Sequence, residues 1–180
     1  ATLHNADEIA RKDLREGDNV LIQRAGDVIP QIVQTLPTQN RASEPFQFPT
    51  RCPVCNSAVM RAENEAAIRC TGAFACKAQA IEKLKHFVSK AAFDIDGLGN
   101  RTVDTFFQHK LLQNPVDIFT LQARDQKALN PLRKHEGWGP KSAEKLFSAI
   151  EEKKTIPLTR FIYALGIPFV GRVLSEVLAA

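Results

Sequence analysis

The sequence predicts a multi-domain chain: a mixed helix-and-strand segment, a small four-cysteine module, and an all-α region of paired helices. Three observations carry this. All four cysteines lie between Cys52 and Cys76. Apolar residues take up a helical period only from Ala78 onward. Within that last stretch, pairs of glycines recur between apolar helices.

A chain of 180 residues has room for one ordinary domain or several small ones. Hydrophobic residues make up 44% of it, enough for a packed core, yet no long apolar run of membrane-spanning length occurs. Charges run through Ala1–Asn19, so no secretory signal is read there. The absence of an initiator Met, and an end within a helical pattern at Leu178-Ala179-Ala180, make a piece of a longer chain the expectation. The net charge of +4 is mild. Its distribution says more, because acidic residues prevail over 1–50 while the basic excess begins where the cysteines begin.

In chain order, Asn5-Ala6-Asp7-Glu8 has a capping side chain with a carboxylate three residues on, the start of a short helix. Leu14 to Asp18, with Gly17, reads as a turn. Val20-Leu21-Ile22, Val28-Ile29 and Ile32-Val33 read as strands around the turn Arg24-Ala25-Gly26-Asp27. Pro30 lacks an N–H and belongs at an edge or bulge. Residues 35–51, with Pro37, Pro45 and Pro49, read as a linker able to hinge. Beyond Ala78, Leu84, Phe87 and Val88 share one helical face, as do Val103, Phe106 and Phe107, and Ala143, Leu146, Phe147 and Ile150. Domains are expected at 1–50, 51–77 and 78–180.

The cysteines are spaced Cys52-x2-Cys55-x14-Cys70-x5-Cys76. A Cys-x2-Cys knuckle directs two thiolates at one ion, and a second pair from a following hairpin completes a tetrahedron. Four thiolates suit Zn2+ and leave no position for substrate, so such a site is structural. So short a segment buries little, and the metal would supply its folding energy. Two disulfides, or four unrelated thiols, are the alternatives.

The glycine pairs are Gly97-Leu98-Gly99, Gly137-Trp138-Gly139 and the longer Gly166 to Gly171. Glycine lets backbone N–H groups come close to a phosphate, and a helix starting just after it adds unsatisfied donors and a positive dipole end. Asn100 and Arg101, Lys141, and Arg172 follow the three pairs. Contacts of this kind read the nucleic-acid backbone and not its bases. The competing reading is that glycine simply turns a helix corner, and Asp94, Asp96 and Glu136 argue against an undifferentiated basic patch. His86, His109 and His135 have no metal or catalytic spacing, and no catalytic triad, Walker loop or dinucleotide fingerprint is present.

Ala1-Thr2-Leu3-His4-Asn5, followed by Arg24-Ala25-Gly26-Asp27-Val28-Ile29-Pro30, resembles the OB-fold domain of bacterial NAD-dependent DNA ligases. The cysteine knuckle after a Pro-rich linker is similar to that family's zinc module, and the glycine pairs to its helix-hairpin-helix domain. The resemblance implies a partial OB-fold β-barrel, a four-cysteine zinc finger and a truncated helix-hairpin-helix domain. It implies a cytoplasmic, monomeric enzyme that binds nicked duplex DNA through its phosphates and minor groove and joins 3′-hydroxyl to 5′-phosphate ends. NAD and Mg2+ would serve the full-length enzyme, bound mainly outside this chain. His4, Asn5, Arg24, Gly26 and Asp27 become candidates for DNA contact or domain orientation. Val28 and Ile29 become apolar wedges for the minor groove, or else strand core. The family's nucleophilic lysine in Lys-x-Asp-Gly is absent, so no catalytic residue is assigned and the chain alone should not ligate. A stand-alone zinc-containing helix-hairpin-helix repair module and a zinc-stabilised protein adaptor are the competing functions.

Overall fold

The computed structural model describes residues 1–25, 29–63 and 65–180. The chain forms two compact units, Ala1–Cys76 and Lys77–Ala180.

In the first unit, helix α1 spans Ala6–Arg11. The Asn5 Oδ1 accepts the N–H groups of Asp7 (3.0 Å) and Glu8 (3.4 Å), satisfying two donors that the first turn leaves free. Strands β1 (Asn19–Ala25) and β2 (Ile29–Leu36) pair antiparallel, with a bulge between Leu21 and Ile22. Both strands are longer than expected. Arg24 and Ala25, read from sequence as turn, pair with Pro30 and Ile29. Thr35 and Leu36, read as linker, pair with Val20 and Asn19. Ladder pairing outweighs the turn propensity of these residues. Pro30, second in its strand, pairs in register with Arg24 in a two-stranded sheet, where each strand has one edge.

The expected linker makes no regular element from 37 to 49, but it packs back on the turn before β1. The Ala42 N–H donates to the Glu16 carbonyl (2.8 Å), and the Arg15 guanidinium reaches the Ser43 carbonyl. Arg41 bonds Asp13, and its Nε lies 2.9 Å from Oδ1 of the buried Asp18, an ion pair not aligned as a hydrogen bond. Gly17, at φ +83°, passes so close to the Asn40 carbonyl that a Cβ would overlap it. These tethers remove the freedom that composition alone implied.

The cysteine module contains β3 (Val59–Arg61) paired antiparallel with β4 (Ile68–Cys70), then a 3-10 turn at Ala73–Ala75. It docks on the head of α1 through a bridge between Asn5 and Ala67 and a fork from Arg61 to both oxygens of Asp7 (Nη1 to Oδ1 2.8 Å).

The second unit is built from α2 (Lys77–Val88), α3 (Asn100–Gln108), α4 (Val116–Gln126), α5 (Pro140–Glu152), α6 (Leu158–Ala164) and α7 (Arg172–Ala179). The faces read from the helical period converge on one core: Leu84, Phe87, Val103, Phe106, Leu146 and Ile150 are all buried within it. Fully burying such a side chain stabilises by about 1.5–3 kcal/mol, so this unit holds itself together without help from an ion. Phe87 stacks on Phe93 at 4.2 Å, and Trp138 tilts against Phe106 at 5.4 Å.

Candidate metal centre and nucleic-acid interface

The metal centre is assembled by two turns. In the first, the Cys52 carbonyl accepts the Asn56 N–H and the Cys52 N–H donates to the Ser57 carbonyl, both at 2.8 Å, which folds Cys52 and Cys55 into a knuckle. Asn56 takes the left-handed φ of +58° that this tight reversal needs. The second turn follows β4 and carries Cys70 and Cys76. The ligand atoms of all four cysteines lie within 4.8 Å of one another. Cys55 and Cys70 sulfurs stand 3.5 Å apart, far beyond the ~2.05 Å of a disulfide. A tetrahedron with Zn–S bonds of ~2.3 Å has S···S edges near ~3.8 Å, so the donor set fits one zinc ion.

The surroundings fit as well. The Gly72 N–H donates to the Cys70 sulfur at 3.2 Å, and a Cβ on Gly72 would come within 2.9 Å of the Cys55 sulfur, so bare backbone lets the two turns close. Ser57, through its hydroxyl and its backbone, pulls the Cys55 thiol down to about 6. The Gly72 amide lowers Cys70, but burial and the sulfurs of Cys55 and Cys52 outweigh it and push that thiol up to about 11. Sulfurs this crowded ionise in sequence unless a cation shares their charge, which is the condition a bound divalent metal supplies.

At the glycine corners, the first glycine of each pair makes the turn and the second opens a helix. Gly97, Gly137 and Gly166 have φ of +89°, +77° and +61°. Gly99, Gly139 and Gly171 cap α3, α5 and α7 in extended backbone that any residue adopts. A Cβ at Gly99, Gly139 or Gly171 would meet no atom within 4 Å. Each capping carbonyl takes the first helical bond, from Val103, Ala143 and Ser175, while the first-turn N–H groups have no helical partners. Asn100, Arg101, Lys141 and Arg172 are exposed beside them. Leu98, between the glycines of the first corner, is buried and anchors the turn. The corners differ in the donors they leave. At the second, Gly139 gives its N–H to the Ser142 hydroxyl (2.8 Å), and Pro140 has none to give.

The acids flanking the first corner are neutralised from α5 and α6. Asp96 pairs with Lys145 at 2.8 Å, which holds its carboxyl below the usual range, and Asp94 lies 3.8 Å from Lys153 and 4.0 Å from Arg160. A cavity of about 660 Å³ at this corner is lined by Lys85, Lys90, Gly97, Gly99, Asn100 and Lys153, among others.

In the first unit, His4 and Arg24 are exposed, and Ile29 is 51% exposed, so Ile29 is not buried in a core here. Asn5 uses its side-chain oxygen to cap α1. Gly26, Asp27 and Val28 lie outside the described residues. Sequence reasoning passed over Arg61, Lys145 and Arg160, and gave His86 no role. Their partners are distant along the chain, and no local pattern marks them.

Among the described residues, no helix is long and apolar enough to cross a membrane. Residues 1–44 match the family model for the NAD-dependent DNA ligase OB-fold domain, and residues 51–78 that for the NAD-dependent DNA ligase C4 zinc finger domain. A curated protein named DNA ligase from Rhodospirillum rubrum is 60% identical over 99% of this chain and 26% of its own length. Those of Afipia carboxidovorans and Parvibaculum lavamentivorans are 54% and 51% identical with the same coverage. The chain thus spans about a quarter of the length of these relatives.

Proposed function

We propose, from the premise that this chain belongs to the NAD-dependent DNA ligase family through its OB-fold and C4 zinc finger domains, that it is the part of such an enzyme that grips nicked duplex DNA. The complete enzyme seals the nick by joining a 3′-hydroxyl to a 5′-phosphate, using NAD and Mg2+ bound mainly outside these residues. It acts as a monomer in the bacterial cytoplasm, at the nucleoid. The modules are an OB-fold portion with linker (1–50), a zinc finger (51–77) and a helix-hairpin-helix domain (78–180).

One observation carries the DNA-gripping role. Gly99, Gly139 and Gly171 need glycine neither for backbone angle nor for space inside the protein, so what their missing side chains leave is access. Access to a row of N–H donors at a helix start is what a phosphate oxygen requires. Arg101, Lys141 and Arg172 add charge at each corner. Arg24, Ile29 and the adjoining Gly26, Asp27 and Val28 meet the minor groove, with His4 and Asn5 toward the nick-facing side. Zinc on Cys52, Cys55, Cys70 and Cys76 is structural.

The test is fluorescence anisotropy with a labelled nicked duplex. Gly99→Val and Gly171→Val should each weaken binding severalfold, and log K should fall with log salt by about 0.9 for every phosphate held. Permuting the base sequence should change little. Salt-insensitive binding would instead favour a protein-adaptor role. With NAD, Mg2+ and nicked DNA, the chain should form no AMP adduct, because Lys-x-Asp-Gly occurs nowhere in it.

A further inference from the structure

We propose that Arg160 and His86 are positioning residues that lock the first and third glycine corners into one pre-set pair. Arg160 projects from α6 onto the segment that leads out of α2 into the first corner. Its Nε donates to the Ala92 carbonyl and its Nη2 to the Lys90 carbonyl, both at 2.7 Å. His86 does the reverse. From α2 it reaches the Tyr163 carbonyl at 2.8 Å, three residues before Gly166 in the third corner. A carbonyl only accepts, so the imidazole must carry its proton on Nε2. The His86 ring also packs on the Tyr163 ring at 4.8 Å, and a Cβ on Gly166 would touch its Cδ2 at 3.4 Å.

Each corner's lead-in is therefore fastened by a side chain from the other's. Phe93 against Phe161, at 6.3 Å, closes the apolar side of the same junction. Arg160 directs its Nε and Nη2 at protein carbonyls, with Asp94 at 4.0 Å, whereas Arg101 and Arg172 are exposed beside their corners. Two carbonyls on different residues suit the planar fork of arginine and not the single ammonium of lysine.

The physical consequence is pre-organisation. Two phosphate-facing corners held at a fixed separation bind without first being ordered, whereas loosely joined corners lose part of the gain of the second contact to that ordering. The inference rests on the reading that these corners hold phosphates, and the experiment separates the two. Binding of the whole chain to nicked duplex is measured for Gly99→Val, Gly171→Val, Arg160→Lys, His86→Leu and His86→Gln, and for Gly171→Val combined with Arg160→Lys and with His86→Leu. Arg160→Lys and His86→Leu should each weaken binding by about tenfold, the scale of ordering one or two groups on binding. His86→Gln, whose amide can still donate, should recover much of the loss. Gly171→Val should cost less in either positioning variant than in the parent, because the third corner already contributes less there.

If Gly99→Val and Gly171→Val bind as the parent does, the phosphate reading falls. If they weaken binding while Arg160→Lys does not, Arg160 acts by charge alone or not at all, and the positioning role falls while the phosphate reading stands. If Arg160→Lys or His86→Leu multiplies with Gly171→Val without interaction, positioning falls as well. Thermal melts of the helical unit check folding, and His86→Gln against His86→Leu decides the matter should an Arg160 variant unfold.

Discussion

The cysteine module and the helical unit reach a defined shape by opposite means. Within 51–76, the only buried residues among those described are Cys52 and Cys76, which are themselves ligands. The helical unit buries Leu84, Val103, Phe106, Leu112, Ile118 and Leu146 almost completely. A short hairpin that cannot hide apolar surface is held by one ion, and a longer chain that can hide it needs none. The same protein thus has one region whose order is conditional on a solute and another whose order is intrinsic.

The sharpest way to break this comparison is to remove the metal. Chelation, or Cys52→Ser with Cys76→Ser, should forfeit a binding free energy on the order of 10–16 kcal/mol and unfold the module. Limited proteolysis should then cut within 51–78, while the melting of the helical unit stays put. A helical unit that melted along with the zinc would refute that independence. The converse is Phe106→Ala, which should cost the helical unit about 3–5 kcal/mol in denaturant titrations and leave the zinc content at one equivalent. Gly97→Ala should cost roughly 1–2 kcal/mol, since φ of +89° disfavours any Cβ and the added methyl would press the Leu146 side chain at 3.3 Å.

The smallest effect lies at the junction of module and OB segment. The fork from Arg61 holds the Asp7 carboxyl below its ordinary value. A depressed carboxyl stabilises the fold above the unfolded-state pKa, and that contribution disappears as pH falls through the lower, folded value. NMR titration of Asp7 should therefore show a midpoint below the usual range in the parent and a return toward it in Arg61→Gln.

What could be read in advance follows sequence separation. The cysteine ladder, the Asn5 cap and the glycine corners are local patterns, and each is written in a few neighbouring residues. The apolar faces of α2, α3 and α5 were legible for the same reason. Arg61 with Asp7, His86 with Tyr163 and Arg160 with Ala92 join residues 54, 77 and 68 positions apart, and a charged or aromatic residue gives no sign of where its partner lies. The linker misled in the other direction. Its prolines announce irregular backbone truthfully, but irregular is not loose, and Arg15, Gly17 and Arg41 pin it.

Gly17 makes that last point consequential. Because the Asn40 carbonyl occupies the space a methyl would need, the crossing there is as narrow as two bare peptides allow. A single alanine at position 17 would pry the crossing apart and free the segment that Arg15 and Arg41 hold. Engineers inserting tags or labels into this chain therefore have one position, Gly17, that tolerates not even a methyl group.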